Sequence, residues 1–348
     1  MRLGLNLGYW SRDDDVGSFA PAVLAEQLGF DVVWVAEAYG SDAATVLGHL
    51  SARTERIGLG SAVFQIPARA PTMTAMTAAT LDALSGGRFH LGLGVSGPQV
   101  SEGWYGVRFD DPLGRTREYV EIIRAAWTRR RVEHSGRHWT LPLPDGPGKA
   151  LHLTVHPERD RIPIYLASLG PRNLALTGEI ADGWLGLFPT QDTLPEQIAT
   201  IAAGRAKAGQ DMTGFDVAPS LPLVVGPDPV ECADATRKFT ALYVGGMGSR
   251  ERNFYNELAS RMGYEKEATA VQEAYLERRY ADAEAALPFG FLDSVGLLGP
   301  RERIAERLAG YAAAGVTTLN VMVRQQSAEQ TAAALRALVE AAETAGVR

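Results

Sequence analysis

Chemistry in this chain has to be sought in a few short stretches where small, polar or acidic residues follow apolar runs. These are Gly8-Tyr9-Trp10, Glu37-Ala38-Tyr39, Ser61-Ala62, Val95-Ser96-Gly97 and Ser168-Leu169-Gly170. Glu37 ends the apolar run Val32-Val33-Trp34-Val35-Ala36, and it either projects as a functional carboxylate or turns to cap the next helix. Ser41 and Asp42, immediately before an Ala-rich helical stretch, are better placed as caps, which leaves Glu37 as a candidate acid or base. Tyr39 and Tyr9 are the other candidate catalytic groups, although both are equally suited to packing.

Two of these stretches share a pattern. Val95-Ser96-Gly97-Pro98 and Ser168-Leu169-Gly170-Pro171 place small residues and a glycine before a proline, a turn that bares backbone N–H groups. Pro171 suits the first turn of a helix, whose positive end attracts a phosphate. A purely structural turn remains the competing reading of each. Ser61-Ala62, after Gly60, offers bare backbone for a ligand to press against.

Other chemistries lack their signatures. No HExxH, CxxC pair or carboxylate cluster stands at metal spacing, so no protein-bound metal is expected. No nucleophile elbow, serine-histidine-aspartate order or glycosidase carboxylate pair is present. The six histidines lie on a helix, in a strand or in one loop region rather than at strand ends. Cys232, the single cysteine, lies between Glu231 and Asp234, carboxylates that disfavour a thiolate. Backbone donors without obvious acids and bases point to a bound cofactor that carries the reaction while the protein positions it.

The composition is that of a soluble enzyme: 348 residues, 46% apolar, 22% charged, net charge -7. The acidic balance argues against nucleic acid as a partner. No apolar run approaches the roughly 20 residues that span a bilayer, and MRLGLNLGYW has no secretion-signal pattern, so a cytoplasmic protein is expected.

The elements that must position these stretches alternate. Strands are predicted near residues 3–7, 32–36, 57–63, 89–94, 162–167, 183–187, 215–225 and 318–323, most of them followed by an amphipathic helix. Between the third and fourth, Met73, Met76, Leu81 and Leu84 recur at helical spacing before Ser85-Gly86-Gly87. Eight such units make an α/β protein of the (β/α)8 TIM barrel class, about 250 residues in its plain form. The surplus falls in insertions after strands four and seven, approximately 128–160 (a hairpin or loop excursion) and 230–300 (helical), both expected to wall the active-site mouth. Nothing divides the chain, so one domain over 1–348 is expected. A doubly wound sheet would want a GxGxxG turn, and Gly92-Leu93-Gly94 lacks the third glycine.

VWVAEAYGSDA, RIGLGSAVFQIPARAPTMTAMTAATLDALSGGRFHLGLGVSGPQVSEGW, GEIADGW and GPRERIAERLAGYAAAGVTTLNV resemble the luciferase-like flavin-dependent superfamily, and within it the actinobacterial oxidoreductases that use the deazaflavin coenzyme F420. The resemblance spans nearly the whole chain. It implies a tricyclic ring resting on a bulge in strand three that contains a cis non-proline bond, here Ser61 to Ala62. It further implies Glu37 near the pyrimidine end of the ring, with Val95-Ser96-Gly97 and Ser168-Leu169-Gly170 around the coenzyme's polar chain and phosphate, and a homodimer. The implied activity is hydride transfer between F420 and a small or medium organic substrate. FMN in the same barrel, serving a monooxygenase fed by a separate reductase, is the alternative, and a coenzyme-binding protein without turnover a second. The related sugar-phosphate dehydrogenases carry an acid where this chain has Pro98 and a histidine where it has Ala38, so sugar-phosphate oxidation is not expected. A basic exit groove for the coenzyme's polyglutamate tail would draw on Arg69, Arg108, Arg115, Arg172 and Arg250.

Overall fold

The computed structural model describes residues 1–8, 19–251 and 253–348. Its framework is eight parallel strands: β1 (Arg2–Asn6), β2 (Val32–Val35), β3 (Gly58–Ser61, resuming at Phe64–Gln65), β4 (Phe89–Gly94), β5 (Ile164–Ala167), β6 (Gly183–Leu185), β7 (Asp216–Val217, then Ser220–Val225) and β8 (Thr318–Val323). They pair in sequence order, and β8 pairs with β1 through Arg2↔Thr318 to Leu5↔Val321. The ring closes at β7. Its first piece pairs with β6, and after a break at Ala218-Pro219 its second piece pairs with β8, so the run expected as one strand is two.

Helices cover the outside: α1 (Ala20–Gln27), α2 (Ala43–Ser51), α3 (Pro71–Leu84), the short α4 (Pro98–Gly103), α5 (Pro112–Trp127), α6 (Pro171–Ile180), α7 (Leu194–Lys207) and, late in the chain, Arg301–Ala313 and Ala328–Thr344. Alternation within each strand divides the apolar residues. Val33, Val35, Leu91, Leu93, Ile164 and Leu166 face the helices, while Val32, Trp34, Tyr165, Leu185 and Ala218 pack inside the ring.

The ring is filled because its wall is thin. A Cβ on Gly60 would stand 2.2 Å from the Trp34 ring, so glycine there is what admits the indole. Trp34 Nε1 donates to Asn320 Oδ1 (2.9 Å), whose Nδ2 donates to the Ala218 carbonyl, and Tyr165 donates to Asp216 Oδ2 (2.9 Å).

The stripe expected on α3 is rotated. Ala75, Ala78, Ala79 and Leu81 are buried, whereas Met73, Met76 and Leu84 are 49%, 50% and 63% exposed. The covered face carries alanines because it is crowded by polar anchors: Thr74 meets Tyr119, Trp127 Nε1 reaches the Ala75 carbonyl, and Asp82 is held by Arg159.

Between β4 and β5 the hairpin His134–Ser135 with Thr140–Leu141 packs on the flank of α5, where Glu118 accepts from the backbone N–H groups of Arg137, His138 and Trp139. Between β7 and β8 lie short helices and one strand the sequence did not signal, Leu297–Gly299, beside β7. Cys232 is buried there in a helix, and burial, with Asp228 and Glu231 nearby, pushes its thiol up. Among the described residues no helix is long and apolar enough to cross a membrane.

Candidate active site

The mouth of the ring is open down to one level. Trp34, Gly60, Gly92, Tyr165 and Ala218 are buried, but Ala36, Ala62, Val63 and Ala167, one layer nearer the strands' C-terminal ends, are partly accessible. The slot above the Trp34 layer is therefore lined by small apolar residues, at the end of the barrel where such folds build their sites.

Its wall is broken at β3. The pairs Gly60↔His90 and Phe64↔Leu93 bracket three residues on β3 against two on β4, which defines a bulge with one extra residue. The cis non-proline bond joins Ala62 to Val63, one residue beyond the Ser61–Ala62 link expected. The reason lies in the ladder to β2. Ser61 still pairs with Val35 and the Ala62 N–H still donates to the Val35 carbonyl (2.7 Å), so the chain leaves the sheet only after Ala62. Ser61 is fully buried: its hydroxyl donates to the Gly92 carbonyl (2.8 Å) and accepts from the Gly92 N–H (3.0 Å). Gly92 has no room for a side chain, since a Cβ would fall 1.9 Å from the Ser61 carbonyl oxygen.

Glu37 plays both parts that the sequence offered it. One oxygen, Oε2, accepts from the Ala43 N–H at the start of α2 (3.1 Å) and from Arg69 (2.7 Å), while Asp42 is the N-cap proper. The other oxygen, Oε1, is enclosed and has no hydrogen-bond partner. Arg69 also reaches Asp42 (2.5 Å). Burial works against the Arg69 charge, but Glu37 and Asp42 outweigh it and hold the guanidinium above its ordinary value. Burial likewise opposes the Asp42 charge, and bonds from Thr45 and Arg69 hold its carboxyl below the usual range.

Beside this pair stands a group that the sequence reading missed. Gln65 and Tyr105 meet above the bulge and both touch the Ala38 carbonyl. The signal was a lone polar residue in the run Val63-Phe64-Gln65-Ile66, at a position facing the ring. Burial and the nearby Glu37 charge raise the Tyr105 phenol.

The remaining candidates are dispersed. Ser96 adopts a left-handed backbone (φ 60) and donates to Gln65 Oε1 (2.6 Å); Val95 and Gly97 flank it, half-buried, and Gly97 is the N-cap of α4. Ser168 is turned inward, its hydroxyl against Thr177 and its carbonyl accepting from Trp184 Nε1. Leu169 packs toward Phe188, and Gly170 starts α6 with no side-chain cap. Tyr39 is 53% exposed, and Tyr9 lies outside the described residues. Of the five arginines, Arg69 is tied up as above and Arg115 pairs with Asp110 and lies over Trp139, whereas Arg108, Arg172 and Arg250 are exposed. Opposite the bulge, Phe188, Phe239, Tyr243 and Tyr255 pack edge to face, with Arg324 4.0 Å over Phe239. No cluster of three metal-ligating side chains occurs among the described residues.

Comparison with known proteins decides the family. The family model described as luciferase-like monooxygenase matches residues 19–318. The chain belongs to that family. Within it, the luciferase-like chain is 42% identical to a putative coenzyme F420-dependent oxidoreductase, Rv3520c, of Mycobacterium tuberculosis, over 95% of this chain and 96% of the relative. Its fold superposes on coenzyme F420 dependent tetrahydromethanopterin reductase from Methanopyrus kandleri with a TM-score of 0.81 at 23% identity, covering 97% of each chain. An F420-dependent secondary alcohol dehydrogenase in complex with an F420-acetone adduct gives the same TM-score at 18% identity, covering 100% of this chain and 99% of the other. These superpositions bear out the fold class read from the strand-helix alternation.

Proposed function

We propose that this chain is an oxidoreductase that binds coenzyme F420 and passes hydride between it and a small or medium organic substrate. The observation that carries the reading of a bound flat tricycle is the slot at the bulge, lined by Ala62 and Val63, beside a buried carboxylate with one unused oxygen. A flat tricycle fits the small apolar lining, and an N–H at its pyrimidine end fits the free acceptor on Glu37. The full-length likeness to a relative named as F420-dependent supports the same choice.

When bound, the deazaflavin supplies a hydride-bearing carbon that reacts poorly with oxygen. The protein's part is to orient and to exclude water. Ala62 and Val63 would line the ring, Glu37 would accept its N–H while Arg69 keeps that carboxylate in place, and the Val95-Ser96-Gly97 and Ser168-Leu169-Gly170 turns would receive the polar chain and phosphate. Glu37, so engaged, acts as a binding group, and the exposed Tyr39 is the weaker catalytic candidate.

We further read the chain as one domain acting in the cytoplasm as a homodimer, without nucleic acid. The outer face of α3 supports self-association: the helix's only charged residue, Asp82, is buried, so Met73, Met76 and Leu84 face outward from a helix with no exposed charge.

An oxygen electrode with chemically reduced coenzymes tests the chemistry. Reduced F420 should be stable with the protein in air until an acceptor from a carbonyl and alkene panel is added. Oxygenated product formed from the panel with reduced FMN and oxygen would support the monooxygenase instead, and binding of F420 without turnover across the panel would leave a coenzyme-binding protein.

A further inference from the structure

Gln65 is the polar side chain of the mouth that the reading above does not use. It is 2% exposed, two residues past the cis bond, and faces the ring because its neighbour Phe64 packs on the helix side. Its amide is fully engaged. Nε2 donates to the Ala38 carbonyl (2.8 Å) and to the Tyr105 hydroxyl (3.0 Å), and Oε1 accepts from the Ser96 hydroxyl (2.6 Å). Tyr105 also donates to Ala38 (3.2 Å). One side chain thus joins the segment after β2, the bulged strand, the turn after β4 and the residues after α4.

Packing alone does not call for an amide here. A leucine would fill the space without the desolvation cost that a buried amide repays only when every polar atom is bonded. Ser96, moreover, sits in the left-handed region that is unfavourable for a non-glycine residue, so its turn needs a hold from outside. The bond to Gln65 is that hold, and it fixes Ser96-Gly97 relative to Glu37-Ala38 across the slot.

We propose that Gln65 is a positioning residue for the coenzyme, holding the Ser96-Gly97 turn and the Glu37-Ala38 segment, through the Ser96 hydroxyl and the Ala38 carbonyl, at the separation that receives it. This rests on the F420 reading, and the experiment separates the two.

Oxidised F420 is titrated against the wild-type chain, Gln65→Met, Ser96→Ala and the double variant, with tryptophan fluorescence as the readout and thermal midpoints measured in parallel. Each single variant should weaken binding about tenfold, the worth of one well-formed bond, and the double variant no more than the stronger single one. Binding by Gln65→Met within twofold of wild type overturns the proposal. So do single effects that multiply in the double variant, or a lowered midpoint with unchanged affinity. If Gln65→Met does not fold, Ser96→Ala decides, since it cuts the same bond without opening a core cavity, and unchanged affinity there is contradictory. A wild-type chain that does not bind F420 fails the coenzyme assignment itself, and the positioning role with it.

Discussion

Arg69 stands 2.7 Å from Glu37 and 2.5 Å from Asp42, with the Arg69 and Glu37 side chains only 16% and 6% exposed. A guanidinium shared between two carboxylates at the lip of the slot keeps a charge there without leaving it unpaired. Removing one partner of such a pair costs more than the pair itself contributes, because the other charge stays enclosed. Arg69→Met should therefore lower stability by about 3 kcal/mol, and Glu37→Gln added to it should recover part of the loss. Urea unfolding of the wild type, Arg69→Met and the double variant checks this. A double variant as unstable as Arg69→Met or worse would contradict it.

A histidine inside the ring sets a different dependence. His90 packs against Trp34 and Tyr165, its Nδ1 enclosed and without a partner. Burial, with the Arg159 and Arg2 charges and against the pull of Asp216, lowers its pKa to about 4. The unfolded chain binds this proton at an ordinary pKa near 6.5. Above that pH both states are neutral and stability is full. Between about 6.5 and 4 the unfolded state takes up the proton first, and stability falls as pH falls, by roughly 3 kcal/mol over the window. Urea midpoints at pH 7.5 and 5 should show the drop, and His90→Gln should flatten it. An unchanged slope in the variant would mean that other groups cause it.

Self-association is tested on α3. Met76→Glu puts a charge at the centre of an outward face that has none, next to exposed Met73. Light scattering after size exclusion should give a dimer mass for the wild type and a monomer mass for Met76→Glu, with the fold kept by circular dichroism. A wild-type monomer would overturn the homodimer, and a dimer that survives the substitution would place the interface elsewhere.

Much of this was legible from pattern. Buried parallel strands read as short apolar runs because both their faces are covered, and Val32–Val35 and Phe89–Gly94 were found on that basis. The breaks were harder. A bulge after Ala62 and a kink at Ala218-Pro219 depend on which neighbour each N–H finds; the family resemblance placed the cis bond of the first one position early, and nothing in the apolar run marked the second. The α3 stripe misled because helical spacing marks two faces of such a helix, and only its neighbours decide which is covered. Gln65 and Tyr105 escaped notice because they are 40 apart in the sequence and meet only once the chain after α4 has come back against the bulged strand.

The choice of coenzyme is the claim on which the rest turns, and side-by-side titration of the purified chain with oxidised F420 and oxidised FMN tests it most directly. The slot and the Glu37 acceptor suit either ring, but the resemblance favours the deazaflavin, so micromolar or tighter binding of F420 and binding of FMN at least a hundredfold weaker are expected. Tight binding of FMN with no measurable binding of F420 would contradict the account.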